Sequence, residues 1–155
     1  MAKNQTLKIT EMDRYLFGQG THYEIYKLMG AHPTKQKGKD GVYFAVWAPR
    51  AQEVAVVGDF NGWDPNENIM KCDNDMGIYQ LFIPGVKSGD LYKFCITSPS
   101  GELLYKADPY ANYAEKRPGN ASRVYDITNF KWNDSVWMKN RQNYDVNKNA
   151  MSIYE

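Results

Sequence analysis

From Gly41 to Ile127 the chain consists of short apolar runs that end at glycine or proline turns, and this pattern limits the fold more than any other feature of the sequence. In the run from Val42 to Trp47 the side chains alternate between the two faces of an extended strand, and Pro49 stops the run. Five further runs of the same kind follow: Val54 to Val57, Gly77 to Ile83, Leu91 to Thr97, Glu102 to Lys106 and Ser122 to Ile127. Short strands at this spacing, with little helix between them, predict a mainly β protein built as an antiparallel β-sandwich.

The first 35 residues have a different pattern, which predicts short helices. Thr10–Asp13 and Thr21–Glu24 both resemble capping boxes, in which a threonine begins a helix and an acidic residue follows three positions later. After the second box, Ile25, Leu28 and Met29 fall on one helical face, and Gly30 is expected to end that helix. The polar stretch Thr34 to Gly41 predicts a boundary. We therefore expect a small helical amino-terminal subdomain over residues 1–40 and the sandwich over 41–128.

Charge and hydropathy argue against two classes of partner. The net charge is only +1 and basic residues do not cluster, whereas proteins that follow a phosphate backbone usually carry a basic patch. A run of 18 apolar residues, which a membrane span needs, does not occur. We expect neither nucleic acid nor membrane as a partner. The polar start of the sequence predicts a cytoplasmic location.

The sequence gives no sign of catalytic chemistry. Its two histidines, His22 and His32, lie outside any metal-binding spacing, and we expect His32 to have a structural role. Phosphate-binding loops, dinucleotide-binding loops and nucleophile elbows are absent from the sequence. Aspartates are scattered over predicted turns, where solvated carboxylates are common. We therefore predict no catalytic residues, no metal and no cofactor in this chain, and no enzyme activity from it alone.

A tryptophan beside a turn provides the better indication of function. Trp63 follows Asn61-Gly62, a strong turn sequence, and aromatic residues make up 14% of the chain. Sugar rings pack their C–H faces on flat aromatic rings, while their hydroxyls need polar groups at the edge. Trp63 with Asn61 and Lys93 fits that requirement. An indole that simply folds back onto the sheet to plug the turn fits the sequence equally well.

Several motifs resemble a known family. GDFNGWD (Gly58–Asp64), LYKF (Leu91–Phe94) and DPYA (Asp108–Ala111) resemble the family 48 carbohydrate-binding module. Longer flanking stretches are similar to the amino-terminal part of bacterial 1,4-α-glucan (glycogen) branching enzymes; they are YLFGQGTHYEIYKLMGAHP, VYFAVWAPRAQEVAVVGDFNGWD, KRPGNAS and WNDSVWMKNR. The last five residues, MSIYE, are similar to the start of the catalytic barrel of those enzymes.

The resemblance implies an immunoglobulin-like β-sandwich that binds α-1,4-glucans such as glycogen and maltooligosaccharides. It implies that Trp63 stacks on a glucose ring and that Lys93 hydrogen-bonds sugar hydroxyls. Leu103 and Leu104 stand where a second stacking tryptophan often lies, and we expect the nearby Tyr105 to join Trp63, Lys93 and Asn61 in the carbohydrate site.

The resemblance also implies that residues 129–155 are a linker and the start of a catalytic barrel that this chain lacks, and that this barrel is a second partner. Its enzyme would transfer α-1,4-glucan segments to form α-1,6 branches. Two alternatives stay open: a structural docking domain without a sugar site, and the equivalent module of a debranching-type glycoside hydrolase.

Overall fold

The computed structural model describes residues 7–73, 76–145, 147–148 and 150–155. The first six residues of the predicted amino-terminal subdomain, and two residues of the predicted carboxy-terminal segment, therefore lie outside the described residues. The strands are β1 (Gly30–Gln36), β2 (Lys39–Trp47), β3 (Glu53–Gly58), β4 (Lys71–Asp73), β5 (Ile78–Pro84), β6 (Leu91–Thr97), β7 (Leu103–Lys106), β8 (Tyr113–Ala114) and β9 (Ser122–Arg123). The helices are α1 (Glu11–Gly18) and α2 (Ser135–Arg141), and 3-10 turns cover Ile25–Lys27, Asp59–Asn61 and Ile127–Asn129.

The strands form two antiparallel sheets, as the alternating runs predict. The first sheet has the order β1-β2-β5-β4, and the second has the order β3-β6-β9-β8, with β7 also paired to β6. The inner faces of the two sheets enclose one apolar core, whose largest fully buried members include Phe44, Tyr92 and Phe94. The prediction of a mainly β sandwich with an immunoglobulin-like architecture is confirmed.

The outer face of the first sheet is covered by the amino-terminal segment. Ile9 and Met29 from this segment pack with Tyr43, Ala45 and Ile78 of the sheet in a second buried cluster. An ion pair between Arg14 of α1 and Asp73 of β4, at 2.5 Å, fixes the helix to the sheet edge. Because this face is occupied, the outer face of the second sheet is the better candidate for a ligand.

The amino-terminal helices were predicted only in part. Thr10 caps α1 and shares a capping box with Asp13, as expected. The helix predicted to begin at Thr21 and end at Gly30 is wrong: this stretch holds only a 3-10 turn, and Gly30 begins β1. The apolar spacing after Thr21 comes from packing against the first sheet, where Met29 and Ile25 contact the second cluster.

Strand β1 lies within the predicted amino-terminal subdomain but belongs to the first sheet of the sandwich. All of its residues pair with β2, from Gly30 opposite Ala45 to Gln36 opposite Lys39. The polar stretch predicted as a boundary is therefore the turn and flanks of a hairpin, with Lys37 and Gly38 at positive φ. The division at residue 40 stays a prediction about domain organisation, but the sheet itself runs across it.

The later strands agree with the sequence to different degrees. β6 covers the predicted run from Leu91 to Thr97, whereas the last strand stops at Arg123 instead of Ile127. The strands β4 and β8 were missed because they are only three and two residues long.

In the described part of the chain, no helix has the length and apolar character that crossing a membrane needs.

Candidate functional site

The turn after β3 places Trp63 at the outer face of the second sheet. Asp64 N–H donates to the Asn61 carbonyl at 3.2 Å, and Gly62 and Trp63 have φ of 60° and 64°. Two successive residues at positive φ make a type I′ turn, which glycine adopts freely and a bulky side chain rarely does. The backbone of Trp63 is therefore strained, and it keeps this conformation only because surrounding contacts stabilise it. Residues with strained backbones are common at functional sites.

Asn61 supports this turn through its side chain. Its Nδ2 donates to the Val56 carbonyl at 3.0 Å, and its Oδ1 accepts the Gly58 N–H at 2.9 Å. The structure thus places the predicted site residue Asn61 under the turn, where its amide closes the end of β3. A direct contact between Asn61 and a sugar stays a prediction.

The indole of Trp63 lies on a bed of small side chains. It packs on Ala55, Val57 and Cys95 and remains partly exposed. Burial raises the pKa of the Cys95 thiol, with Tyr105 acting in the opposite direction, so this side chain is a neutral packing group. The ring therefore folds onto the sheet and still faces solvent, and its contact with a sugar stays a prediction.

Asp59 fixes the direction of the indole. Its Oδ1 accepts the Trp63 Nε1–H at 3.3 Å, and its Oδ2 accepts the Leu91 N–H at 3.0 Å. One carboxylate thereby joins the tryptophan to the first residue of β6. Sequence reasoning did not select Asp59, although it lies in the GDFNGWD motif.

Lys93 and Tyr105 lie on the same face as the indole. Lys93 is two residues from Cys95 along β6, and Tyr105 of β7 is paired directly opposite Cys95. The Lys93 ammonium donates to Asn120 Oδ1 at 2.5 Å, and Tyr105 is 45% exposed. The structure thus brings three of the four predicted site residues, Trp63, Lys93 and Tyr105, onto one face.

Asn120 is a functional candidate that the sequence analysis missed. It lies in a loop closed by Glu115, which accepts the Ala121 N–H at 3.0 Å through Oε2. This loop belongs to the KRPGNAS stretch, which carried the resemblance but was given no chemical role. Only the folded chain shows that the amide reaches Lys93.

This face combines an aromatic ring with polar groups, a set that suits a neutral, hydroxyl-rich ligand. An aromatic ring supplies a stacking surface, and an ammonium and an amide supply donors and an acceptor at its edge. No cluster of three or more metal-binding side chains occurs among the residues that the structure describes. The histidines serve the fold: His22 Nε2 is 2.8 Å from Asp13 Oδ1, and His32 Nε2 is 2.8 Å from the Met29 carbonyl.

Comparison with protein families gives one matching model. Residues 28–111 match carbohydrate-binding module 48, described as the isoamylase N-terminal domain. The matched range includes strand β1, the Trp63 turn and Lys93.

Two relatives are similar over nearly the whole chain. The 1,4-alpha-glucan branching enzyme GlgB of Butyrivibrio fibrisolvens is 59% identical over 98% of this chain and 24% of its own length. The enzyme of the same name from Halothermothrix orenii is 52% identical over 94% of this chain and 23% of its own length. The chain spans about a quarter of the length of the curated relatives it matches.

Solved structures show a similar arrangement. Pullulanase type I from Bacillus subtilis, complexed with maltose, is 29% identical with a TM-score of 0.53, over 67% of this chain and 14% of that one. A putative alpha amylase from Salmonella typhimurium is 26% identical with a TM-score of 0.52, over 70% of this chain and 16% of that one.

Proposed function

Because the chain belongs to the carbohydrate-binding module 48 family, we propose that it binds α-1,4-glucan chains, such as glycogen and maltooligosaccharides, on the outer face of its second sheet. The observation that carries this proposal is the position of Trp63, whose indole lies on Ala55, Val57 and Cys95 with part of its surface open. The amino-terminal segment covers the corresponding face of the first sheet, which leaves this face for the ligand.

Each side chain in the site has a role in the proposal. Trp63 stacks on one glucose ring, and Asp59 keeps the indole in place through its 3.3 Å hydrogen bond. The Lys93 ammonium and Asn120 Oδ1, which are 2.5 Å apart, both hydrogen-bond sugar hydroxyls. Tyr105 flanks the platform, and Asn61 holds the turn from below.

We further propose that the chain is the amino-terminal module of a 1,4-α-glucan branching enzyme. That enzyme would cut α-1,4-glucan and transfer the segment to form α-1,6 branches during glycogen biosynthesis. Identity of 59% to a protein named as a branching enzyme, against 29% to a pullulanase, favours this assignment over a debranching module. The predicted cytoplasmic location belongs to the same proposal.

A docking role accompanies sugar binding in this proposal. Phe130 and Trp132 form a carboxy-terminal aromatic patch and are 66% and 79% exposed, and Trp137 of α2 is 60% exposed. Phe130 and Trp132 contact each other edge to face at 5.0 Å. Exposed apolar patches commonly mark interfaces, and the catalytic barrel of the longer enzyme is the partner we propose for this one.

Titration with maltoheptaose tests the sugar site. We expect weak binding by the unaltered chain, and at least about a tenfold loss in Trp63→Ala, because the variant loses its main stacking surface. Chemical shifts of the backbone amides of Ala55 and Cys95, which lie under the ring and are present in every variant, provide the measurement. Trp137→Ala is the matched control and should bind as the unaltered chain does. Equal affinity of Trp63→Ala and Trp137→Ala, with folding intact by circular dichroism, would contradict the proposed site.

Incubation with amylose tests the separation of binding from catalysis. Iodine-stained amylose should keep its absorbance in the presence of the purified chain, since the described residues bring together no nucleophile, base and orienting group. A loss of absorbance that follows the protein through purification would contradict this expectation.

A further inference from the structure

The outer face of the second sheet continues beyond the candidate site. Leu91 of β6 is paired with Arg123 of β9, and Arg123 is paired with Tyr113 of β8. Directly paired residues project to the same face of a sheet, and residues two apart on one strand do so as well. Because Leu91 shares its face with Lys93 and Cys95, Tyr113 lies on the same face as Trp63.

Tyr113 belongs to a small exposed cluster. Its ring centroid is 5.4 Å from that of Tyr125 and 5.9 Å from the Arg123 guanidinium carbon. Tyr113 is 52% exposed and Tyr125 is 47% exposed. Arg123 is held in place by donating from Nη1 to the Gly89 carbonyl at 2.9 Å. We call Tyr113, Tyr125 and Arg123 the tyrosine platform.

The two hydrogen bonds of Asp59 allow the distance between Trp63 and the tyrosine platform to be estimated. The carboxylate joins the Trp63 Nε1–H to the Leu91 N–H, so the indole edge lies near the start of β6. From Leu91 to Tyr113 is two strand spacings, or about 10 Å. A glucan chain a few rings long can therefore touch Trp63 at one end and the tyrosine platform at the other.

Polar groups occupy the space between them. The paired Lys93 and Asn120 lie beside Trp63, and the Arg123 guanidinium lies beside Tyr113. These groups offer donors and an acceptor to neutral hydroxyls, which matches a sugar chain rather than an apolar ligand.

We propose that the tyrosine platform is a second subsite for the same α-1,4-glucan, so that the chain prefers oligosaccharides long enough to reach both aromatic groups. The inference rests on the proposed sugar-binding function. The platform supplies the second stacking surface that Leu103 and Leu104 do not provide after the turn between β6 and β7. It lies near the other end of β6 from those leucines, which pair with Thr97 and Ile96, whereas the platform is reached from Leu91 through β9.

Comparison of a short and a long ligand tests the subsite. Tyr113→Ala should weaken maltoheptaose binding about fivefold to tenfold, since one stacking contact is lost. The same variant should bind maltose, which fills only the Trp63 end, as the unaltered chain does. Tyr113→Phe keeps the ring and should retain affinity for maltoheptaose. Tyr23→Ala is the matched control, because Tyr23 is 87% exposed on the amino-terminal segment.

The possible results separate this inference from the function on which it rests. If Trp63→Ala weakens both ligands while Tyr113→Ala weakens only maltoheptaose, the second subsite is supported. If Trp63→Ala loses binding and Tyr113→Ala matches Tyr23→Ala for both ligands, the sugar site stands and the second subsite is overturned. If the unaltered chain does not bind maltoheptaose, the proposed function and the inference both fail.

Discussion

Replacing Gly58 by alanine should lower the free energy of unfolding by about 3 kcal/mol and weaken sugar binding, because the added methyl group has no room. A Cβ at this position would lie 2.2 Å from the Leu91 carbonyl oxygen and 2.7 Å from the Phe60 ring. The carbonyl belongs to β6, whose pairing with β3 ends at Gly58 opposite Tyr92. Relief of the clash must move the end of β3, and the Trp63 turn would move with it.

Gly62→Ala is the control for this substitution, since it lies four residues away in the same turn. A Cβ at Gly62 meets no atom within 4 Å, but the φ of 60° disfavours a side chain. We expect a cost of about 1 kcal/mol from the backbone alone. Urea unfolding of the two variants gives the comparison. A smaller loss of unfolding free energy in Gly58→Ala than in Gly62→Ala would contradict the close approach of Gly58 to the Leu91 carbonyl.

Asp108→Ala should also destabilise the protein, by about 3 kcal/mol, because two donors lose their acceptor. Asp108 is 6% exposed; its Oδ2 accepts the hydroxyl of the fully buried Tyr92 at 2.6 Å, and its Oδ1 accepts the Tyr110 N–H at 2.8 Å. Chemical denaturation measures the loss. Asp108→Asn keeps the shape and one acceptor, so its loss should be smaller, and equal losses would contradict the hydrogen-bond argument.

The pH dependence of the same carboxyl has a defined sign. Burial raises the pKa of Asp108 above its ordinary value of 3.8, although hydrogen bonds from Tyr92 and Tyr110 and the charge of His32 act in the opposite direction. A raised pKa in the folded state means that folding favours the protonated form. The contribution of this carboxyl to the free energy of unfolding is complete below pH 3.8 and declines as the pH rises through the pKa of the folded state.

Asp108→Asn does not titrate and serves as the reference for this effect. The stability of the unaltered chain relative to Asp108→Asn should therefore fall as the pH rises from 3.8 through the pKa of the folded state. Denaturation series at several pH values measure the difference. A rise over that interval would mean that the hydrogen bonds outweigh burial.

The sandwich could be predicted because alternating apolar residues are visible within its longer strands. Alternation from Val42 to Val46 separates the core side of β2 from the side covered by the amino-terminal segment, and β6 alternates in the same way. Strands as short as β4 and β8 carry too few residues for any period to be visible. Their pairing depends on residues outside the strands themselves, Gln80 for Lys71 and Arg123 for Tyr113.

The amino-terminal segment was the main error, and its cause is tertiary. Ile25 and Met29 have helical spacing, yet they pack on the outer face of the first sheet while Gly30 already pairs with Ala45. Packing against an existing sheet stabilises a short 3-10 turn over Ile25–Lys27 and the start of β1 at Gly30, where local propensity alone favours one continuous helix. The capping box at Thr10 was predicted correctly because it involves only residues within one turn.

The candidate site was predicted as a set of residue types but not as an arrangement. Trp63 and Lys93 were selected because the motif and the turn chemistry can be recognised locally. Asn120 and Asp59 were missed because their importance depends on contacts with Lys93 and Leu91, which lie in another strand.

The sequence by itself determined the mainly β fold, the family and the turn that carries Trp63, since periodicity and turn chemistry are properties of neighbouring residues. The tertiary structure alone decided which outer face stays open and which side chains meet there. The amino-terminal segment covers the first sheet, and strand register places Lys93, Tyr105 and Tyr113 on the face with the indole. Register and layer packing join residues distant in the chain, so no local pattern can specify them.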